Sequence, residues 1–404
     1  MRIVITSNYP VNNETGASKV AELLVKYLSK NNQVAFICLG KNYSEEKKSK
    51  NITVVKIPML DLTKFQIPLI TPIVVFKTFA FLEKFRPDII HAQNSVFVSK
   101  VTQIWSILNK VPFVVTFHHI PTEALYHLAP FLTENKLGNI VQDLYKNTSL
   151  KNTLKNSDAV IAVNKLIFES VRTVDKGINI KIINNGIETN KLSKIKINNL
   201  DKEKIRFVFL GSFNDRKNQL YLLRVFKNLP KNYYLNLYGK KDSGGEYLKK
   251  LESYVNKNRM TNVKINDYST DIVSVFESNN FLISASKKEA QSLVVLQSMA
   301  AAKPVIALEN ETINELININ NGLKIKQNTK PINFAKKIVD YIENSDYVNL
   351  SNNIRKDSKK FDIEVVVSKI NEFYKSVCDS YSKNGRRDIG NYYNKILQQI
   401  GVIK

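Results

Sequence analysis

The feature that most restricts the fold is an alternation that runs twice along the chain. A short run of β-branched and aromatic residues is followed each time by a stretch with apolar residues at helical spacing. Short apolar runs without polar alternation suit strands covered on both faces, and strands separated by helices build parallel sheets. The first series predicts strands at residues 2–6, 34–39, 52–57, 89–92, 113–117 and 159–163. Its opening helix, near residues 17–30, places Val20, Leu23, Leu24, Tyr27 and Leu28 on one face. Residues 184–204, polar and rich in Lys and Asn, read as a linker. The second series predicts strands at 206–210, 234–238, 263–265, 281–284 and 305–307, with helices near 219–226, 245–257 and 272–277. Closing helices are expected around 331–342 and 363–376. The fold class is therefore α/β, with two doubly wound parallel-sheet halves. In such sheets ligands bind beyond the carboxyl ends of the strands.

With 404 residues, 43% of them hydrophobic and 24% charged, each half is large enough to bury its own core. Two cysteines, Cys38 and Cys378, exclude a disulfide framework and fit a reducing cytoplasm. The N-terminus opens directly into a strand instead of a signal core. Residues 65–82 are the longest apolar stretch, but Pro68, Pro72 and Lys77 interrupt it, and a spanning helix needs about 20 apolar residues. The formal charge of +24 attracts polyanions. No nucleic-acid signature accompanies it. An anionic membrane surface is the expected partner, the alternative being the Lys, Asn and Ile bias of an AT-rich genome.

Residues 281–308 carry the densest chemistry. A buried strand ends in a Ser/Lys-rich turn holding Glu289, a helix opens at about Ser292, and Lys303-Pro304 leads into the next strand. A helix starting beyond a strand's carboxyl end presents unpaired N–H groups to a bound anion and suits a diphosphate. The segment reads Glu289-Ala290-Gln291-Ser292, four residues, then Gln297-Ser298-Met299-Ala300-Ala301-Ala302-Lys303-Pro304-Val305. In length and register it resembles the signature of the family 4 glycosyltransferases, Glu-Gly-Phe-Pro, four residues, Glu-Ala-Met-Ala-x-Gly-x-Pro-Val. Five further segments resemble that family in order along the chain. They are Arg86-Pro-Asp-Ile-Ile-His-Ala92, Val115-Thr-Phe-His118, Ile183-Asn-Asn-Gly-Ile-Glu188, Gly211-Ser-Phe-Asn-Asp-Arg-Lys217 and Leu237-Tyr-Gly239.

The resemblance implies the GT-B fold, two Rossmann-like halves facing across a cleft: an acceptor domain at 1–190 and a nucleotide-sugar domain at 191–375. A tail at 376–404 would return to the first half. It also implies roles. Glu289, with Ala290 and Gln291, contacts the donor sugar, and Gln297 holds the ribose. Gly211, Ser212, Arg216, Lys217, Ser292 and Leu293 bind the donor diphosphate. His118 contacts donor sugar or phosphate, and Gly16 and His119 lie on the acceptor side. An imidazole beside a diphosphate would have its protonated form favoured. The chain departs from the family in Ser212 for Arg, Ala290 for Gly and Gln297 for the second acid. A neutral hydrogen bond has about half the strength of a charge-assisted one, which weakens the ribose contact.

The expected activity is retaining transfer of a hexose from a UDP- or GDP-sugar to a glycan or lipid-linked glycan. The setting would be bacterial lipopolysaccharide or capsule synthesis, in the cytoplasm and on the inner face of the membrane. No His-Glu-x-x-His or Asp-x-Asp pattern is present, and neither His91 nor His127 has a partner that points to a metal, so no metal or other cofactor is expected. The rival reading, built on Gln297, Ser212 and Ala290, is a catalytically degenerate binding or scaffold subunit. A nucleic-acid binder is the third, and no nucleic acid is expected as partner.

Overall fold

Strand β10 (Ile205–Leu210) shows why this chain folds in layers. Phe207 and Phe209 point into one apolar cluster, and Val208 and Leu210 into another. A strand whose side chains alternate between two buried faces needs helices on both sides. Phe207 packs against Phe226, Phe281 and Tyr233 at ring separations of 5.3, 5.3 and 5.9 Å. Each such ring contributes roughly 1.5–3 kcal/mol by burial.

The computed structural model describes residues 1–13, 15–62, 65–123, 143, 145–241 and 245–386. His127 and the end of the tail lie outside them. Contacts divide the chain into two units, Met1–Gly186 with the chain from Ile363 onward, and Ile187–Asp362.

Unit 1 contains β1 (Arg2–Pro10), β2 (Gln33–Gly40), β3 (Ser44–Lys47), β4 (Ile52–Leu62) and β5 (Phe65–Pro68). Then follow β6 (Ile89–Ala92), β7 (Phe113–Phe117), β8 (Ala159–Ala162) and β9 (Ile180–Ile182). Their order is β3-β4-β2-β1-β6-β7-β8-β9, with β5 paired to β4. All pairings are parallel except those of β3 and β5. Helices α1 (Gly16–Leu28), α2 (Pro72–Phe85), α3 (Val98–Leu108), α4 (Lys151–Lys155) and α5 (Lys165–Val174) connect them. Residues 65–82 thus divide into β5 and most of α2. Among the described residues no helix is long and apolar enough to cross a membrane.

Unit 2 adds β11 (Tyr233–Tyr238), β12 (Val263–Asn266), β13 (Phe281–Ser284), β14 (Val305–Leu308) and β15 (Gly322–Ile325) to β10. Its helices are α6 (Gln219–Phe226), α7 (Gly245–Lys257), α8 (Ile272–Glu277), α9 (Leu293–Ala300), α10 (Glu311–Leu316), α11 (Pro331–Glu343) and α12 (Tyr347–Ser358). The strand order is β12-β11-β10-β13-β14-β15, all parallel. The order reverses between β10 and β13, the point where such sheets open a binding crevice.

Two boundaries differ from expectation. The presumed linker at 184–204 is not a solvated spacer, since Ile187, Leu192 and Ile195 are buried in a core cluster of unit 2. The return to unit 1 starts at Ile363, where α13 (Ile363–Asn384) begins, instead of at 376. The close approach that fixes this crossing is at Gly186. A Cβ there would stand 2.5 Å from Ile363 Cδ1 and 3.0 Å from its Cα.

Candidate active site

At the carboxyl end of β10 the chain turns sharply at Gly211. The Gly211 N–H donates to the Tyr238 carbonyl at 3.0 Å. Gly239 permits this approach, because a Cβ at that position would lie 2.4 Å from the Gly211 oxygen. The loop then closes on itself. Asn214 Nδ2 donates to Ser212 Oγ at 2.9 Å, Gln219 Nε2 donates to the Ser212 carbonyl at 2.7 Å, and Lys217 N–H donates to Asn214 Oδ1 at 3.0 Å. Ser212 is thereby a structural member of the turn, and Arg216 and Lys217 are held on its far limb.

That limb meets the loop following β13. Lys287 N–H donates to the Arg216 carbonyl at 2.9 Å, and Arg216 Nη1 donates to the Lys288 carbonyl at 2.9 Å. Arg216 Nη1 lies 3.1 Å from Glu289 Oε1, and the Lys217 ammonium is ion-paired with the same oxygen. The side chains of Lys217 and Glu289 are 14% and 13% exposed, whereas Arg216 is 44% exposed. Burial pushes the Glu289 carboxyl upward, but Lys217 and Arg216 together outweigh it and hold the group below the usual carboxylate range. Glu289 is therefore an anion against one partly buried and one exposed cation.

Three further contacts fix the second loop. Glu289 N–H donates to Glu311 Oε2 at 3.1 Å, Thr312 Oγ1 donates to the Glu289 carbonyl at 3.2 Å, and Ser292 N–H donates to Thr312 Oγ1 at 3.2 Å. Ser292 is the N-cap of α9 and Leu293 its first residue. Lys217, Ser284, Ser286 and Ser292 line one crevice. Ala290 and Gln291 flank Glu289 and are partly buried. Gln297 sits one turn into α9 from Leu293, partly exposed and on the same face. The structure thus brings the 211–217 and 289–293 segments together within unit 2.

In unit 1 the corresponding strand ends carry hydrogen bonds instead of charge. His91, at 0% exposure, has Nδ1 2.5 Å from Tyr374 Oη and Nε2 2.6 Å from Thr116 Oγ1. Gln93 Nε2 approaches His91 Nε2 at 3.2 Å, and Gln93 Oε1 accepts from His118 Nε2 at 2.9 Å. A carbonyl oxygen only accepts, so neutral His118 carries its proton on Nε2 and leaves Nδ1 as an acceptor. Burial lowers both imidazoles to about 3, with His118 acting on His91 and His119 on His118 in the same sense. The protonated form expected for His118 beside a diphosphate is thus not the form of the unliganded chain. His119 follows it, partly buried. Gly16 is the exposed first residue of α1, whose N-cap Thr15 accepts from Ser18 N–H. Gly16 has no left-handed φ, so the structure gives it the part of an ordinary helix start.

Comparison with known proteins shows which family the chain belongs to. Residues 15–191 match the family model for Glycosyltransferase Family 4, and residues 190–361 that for Glycosyl transferases group 1. An uncharacterised glycosyltransferase of Methanocaldococcus jannaschii is 26% identical over 368 residues, covering 90% of this chain and 95% of the relative. The chain belongs to the family 4 glycosyltransferases. The alpha-monoglucosyldiacylglycerol synthase of Streptococcus pneumoniae is 23% identical over 262 residues, 60% of this chain and 56% of that one. The Anabaena protein HepE, solved with UDP-glucose, has a TM-score of 0.69 at 18% identity, covering 93% of this chain and 100% of that one. That likeness gives this glycosyltransferase the GT-B fold.

The sequence reading of this family 4 glycosyltransferase missed Glu311 and Thr312, which pin the Glu289 loop, and Gln93, Thr116 and Tyr374, which set the histidines. A polar Glu309-Asn-Glu-Thr312 run just past β14 was the available signal for the first pair. None existed for Tyr374, which lies 283 residues from His91. Among the described residues no group of three or more His, Cys, Asp or Glu is placed to hold a metal ion.

Proposed function

We propose that this glycosyltransferase moves a hexose from a UDP- or GDP-sugar to a hydroxyl of a glycan or lipid-linked glycan, with retained anomeric configuration and without a divalent cation. The observation that carries the reading is the meeting of Lys217 and Arg216 on Glu289 at the switch point between β10 and β13. The donor diphosphate takes up the two cations with the α9 N-terminus at Ser292 and Leu293. Glu289, released from part of that pairing, accepts hydrogen bonds from sugar hydroxyls, and Gln297 holds the ribose. Fixed donors of this kind stabilise developing charge by several kcal/mol.

As the bond between the anomeric carbon and the phosphate oxygen breaks, the acceptor oxygen bonds to that carbon on the same face. Its proton passes to the departing phosphate oxygen. No protein base is required for this step. His118 presents an acceptor nitrogen suited to a sugar hydroxyl. HepE, solved with UDP-glucose, supports a nucleotide-sugar donor.

A lipid-linked acceptor in bacterial surface polysaccharide synthesis, at the inner face of the membrane, fits the +24 charge and helix α2. Ile73 and Phe76 on that helix are 68% and 73% exposed. The diacylglycerol-linked product named for the S. pneumoniae relative supports the same reading.

Purified protein incubated with a panel of nucleotide sugars tests the proposal. Nucleotide diphosphate is released at the same rate in EDTA, and release disappears in Glu289→Ala. Dependence on added manganese overturns the metal-free mechanism. Nucleotide binding without turnover on any donor replaces the enzyme with the binding-subunit reading that Ser212 and Gln297 favour.

A further inference from the structure

Lys303 stands apart from the other lysines of unit 2. It is 7% exposed, and its ammonium makes no hydrogen bond or ion pair among the described residues. Lysine ordinarily extends its head group to water when its stem is covered. Here the backbone prevents an easy escape. Lys303 N–H donates to the Ser298 carbonyl at 2.9 Å, and Ser298 Oγ donates to the Lys303 carbonyl at 2.7 Å. Both bonds fix the residue in the turn between α9 and β14. An unpaired buried cation is costly unless something satisfies it.

Lys303 lines a pocket of about 360 Å³ together with Lys194, Lys196, Asn199, Asn280 and Glu277. The two lysines bracket Ile195, whose side chain, like that of Leu192, is buried in the core and holds the segment against the sheet. Arg355 donates to the Ile195 carbonyl and keeps a buried Nε without a partner. Asn280 is fixed as well. Its Oδ1 accepts from Arg206 N–H at 2.8 Å and its carbonyl from Tyr347 Oη at 3.0 Å. Three lysines and one carboxylate on the lining of the pocket leave a positive site inside a concave, polar wall, of a size that small ligands occupy.

Its position separates it from the donor site. Asn280 and Lys303 precede β13 and β14, at the amino ends of these strands, whereas Lys217 and Glu289 lie beyond the carboxyl ends. The length of β13 alone, at about 3.3 Å per residue, puts roughly 13 Å between the two ends. A donor diphosphate on Lys217 therefore leaves this pocket unfilled.

We infer that the pocket is a second phosphate-binding site, in which Lys303, Lys194 and Lys196 close on a phosphate group carried by a small phosphorylated molecule or by an anionic lipid headgroup. Burial, with Arg355 adding to it and Glu277 opposing, draws the Lys303 ammonium down to about 8, and a bound phosphate would offset that pull.

The test uses the full chain carrying Lys217→Met, so that the donor site is weakened and turnover plays no part in the readout. Inorganic pyrophosphate is titrated calorimetrically at fixed ionic strength. In parallel, sedimentation is measured with vesicles of phosphatidylcholine alone and with added phosphatidic acid. Adding Lys303→Met, which keeps the length of the side chain, lowers affinity for one probe at least tenfold. Adding Lys194→Ala and Lys196→Ala, both exposed, lowers it severalfold without touching the core. Loss for pyrophosphate identifies a soluble ligand, and loss confined to phosphatidic acid vesicles identifies a headgroup. The inference is overturned if neither probe binds, or if both sets of variants bind them as tightly as the Lys217→Met parent.

Discussion

The carboxyl ends of the parallel strands differ in chemistry between the two sheets. In unit 2 the strand ends carry charge: one carboxylate, Glu289, held between Lys217 and Arg216. In unit 1 they carry a neutral chain of hydrogen bonds through Tyr374, His91, Thr116, Gln93 and His118. A common topology underlies both, since the order of the strands reverses beside β1 in one sheet and beside β10 in the other. Topology therefore sets where the strand ends lie, and the loops decide whether an end carries charge or neutral hydrogen bonds.

The largest effect that would break this contrast is expected at Glu289. Glu289→Gln should lower donor turnover by about a thousandfold, the scale for a residue at developing charge, while leaving nucleotide affinity near that of the parent. Initial rates and equilibrium dialysis separate the two. Lys217→Met should do the opposite, weakening nucleotide diphosphate binding by roughly 10- to 100-fold through loss of a charge-assisted contact. If both substitutions acted only on folding, the charged end would be a structural ion-pair cluster.

The neutral end is sharpened by removing one hydroxyl. Tyr374→Phe leaves buried His91 Nδ1 with only the 3.4 Å approach of Gln93 Nε2 and should destabilise the protein by about 1–3 kcal/mol in urea unfolding. The pH dependence runs in a definite direction. His91 and His118 stay neutral in the fold down to about 3, whereas unfolded imidazoles take up protons near the ordinary 6.5. The unfolded chain thus binds more protons between these values, and stability falls as pH drops from about 6.5 toward 3. Glu289, depressed in the fold, contributes stability above its ordinary 4.5 that is lost only as pH falls through its lower folded value. Melting curves between about pH 7.5 and 5 should therefore show the histidine loss, and His118→Gln should flatten it. The smallest effect is expected at the exposed helix. Ile73→Ser with Phe76→Ser should reduce binding to anionic vesicles severalfold and leave turnover on a soluble acceptor unchanged.

Much of this arrangement was legible in the sequence where chemistry and period coincide. Helices α6, α7 and α8 and strand β13 begin and end where the pattern placed them, because their apolar faces are regular and their boundaries carry Gly, Asn or Asp. Strand β3 was invisible: Ser44–Lys47 is an edge strand of polar and charged residues, paired on one side only. Strand β15 was missed because Gly322 and Lys324 interrupt its apolar run. Within the site, the loops bearing Lys217 and Glu289 were placed from spacing and resemblance. Their ion pair was not, since it joins residues 72 apart. Lys303 gave no sign at all, as a lysine before a Pro-Val strand start reads as surface.

The double crossing between the units has a consequence for how the protein is made. Unit 2 is one uninterrupted stretch whose ends meet, with Ile187 N–H donating to the Phe361 carbonyl at 2.9 Å. A nascent chain can complete it as soon as residue 362 has left the ribosome. Unit 1 has to wait for α13, because Tyr374 and the buried Arg386–Asp158 pair are supplied last. Its sheet is thus translated first and finished second, and the interval between is when a growing chain most needs protection from its own exposed strands.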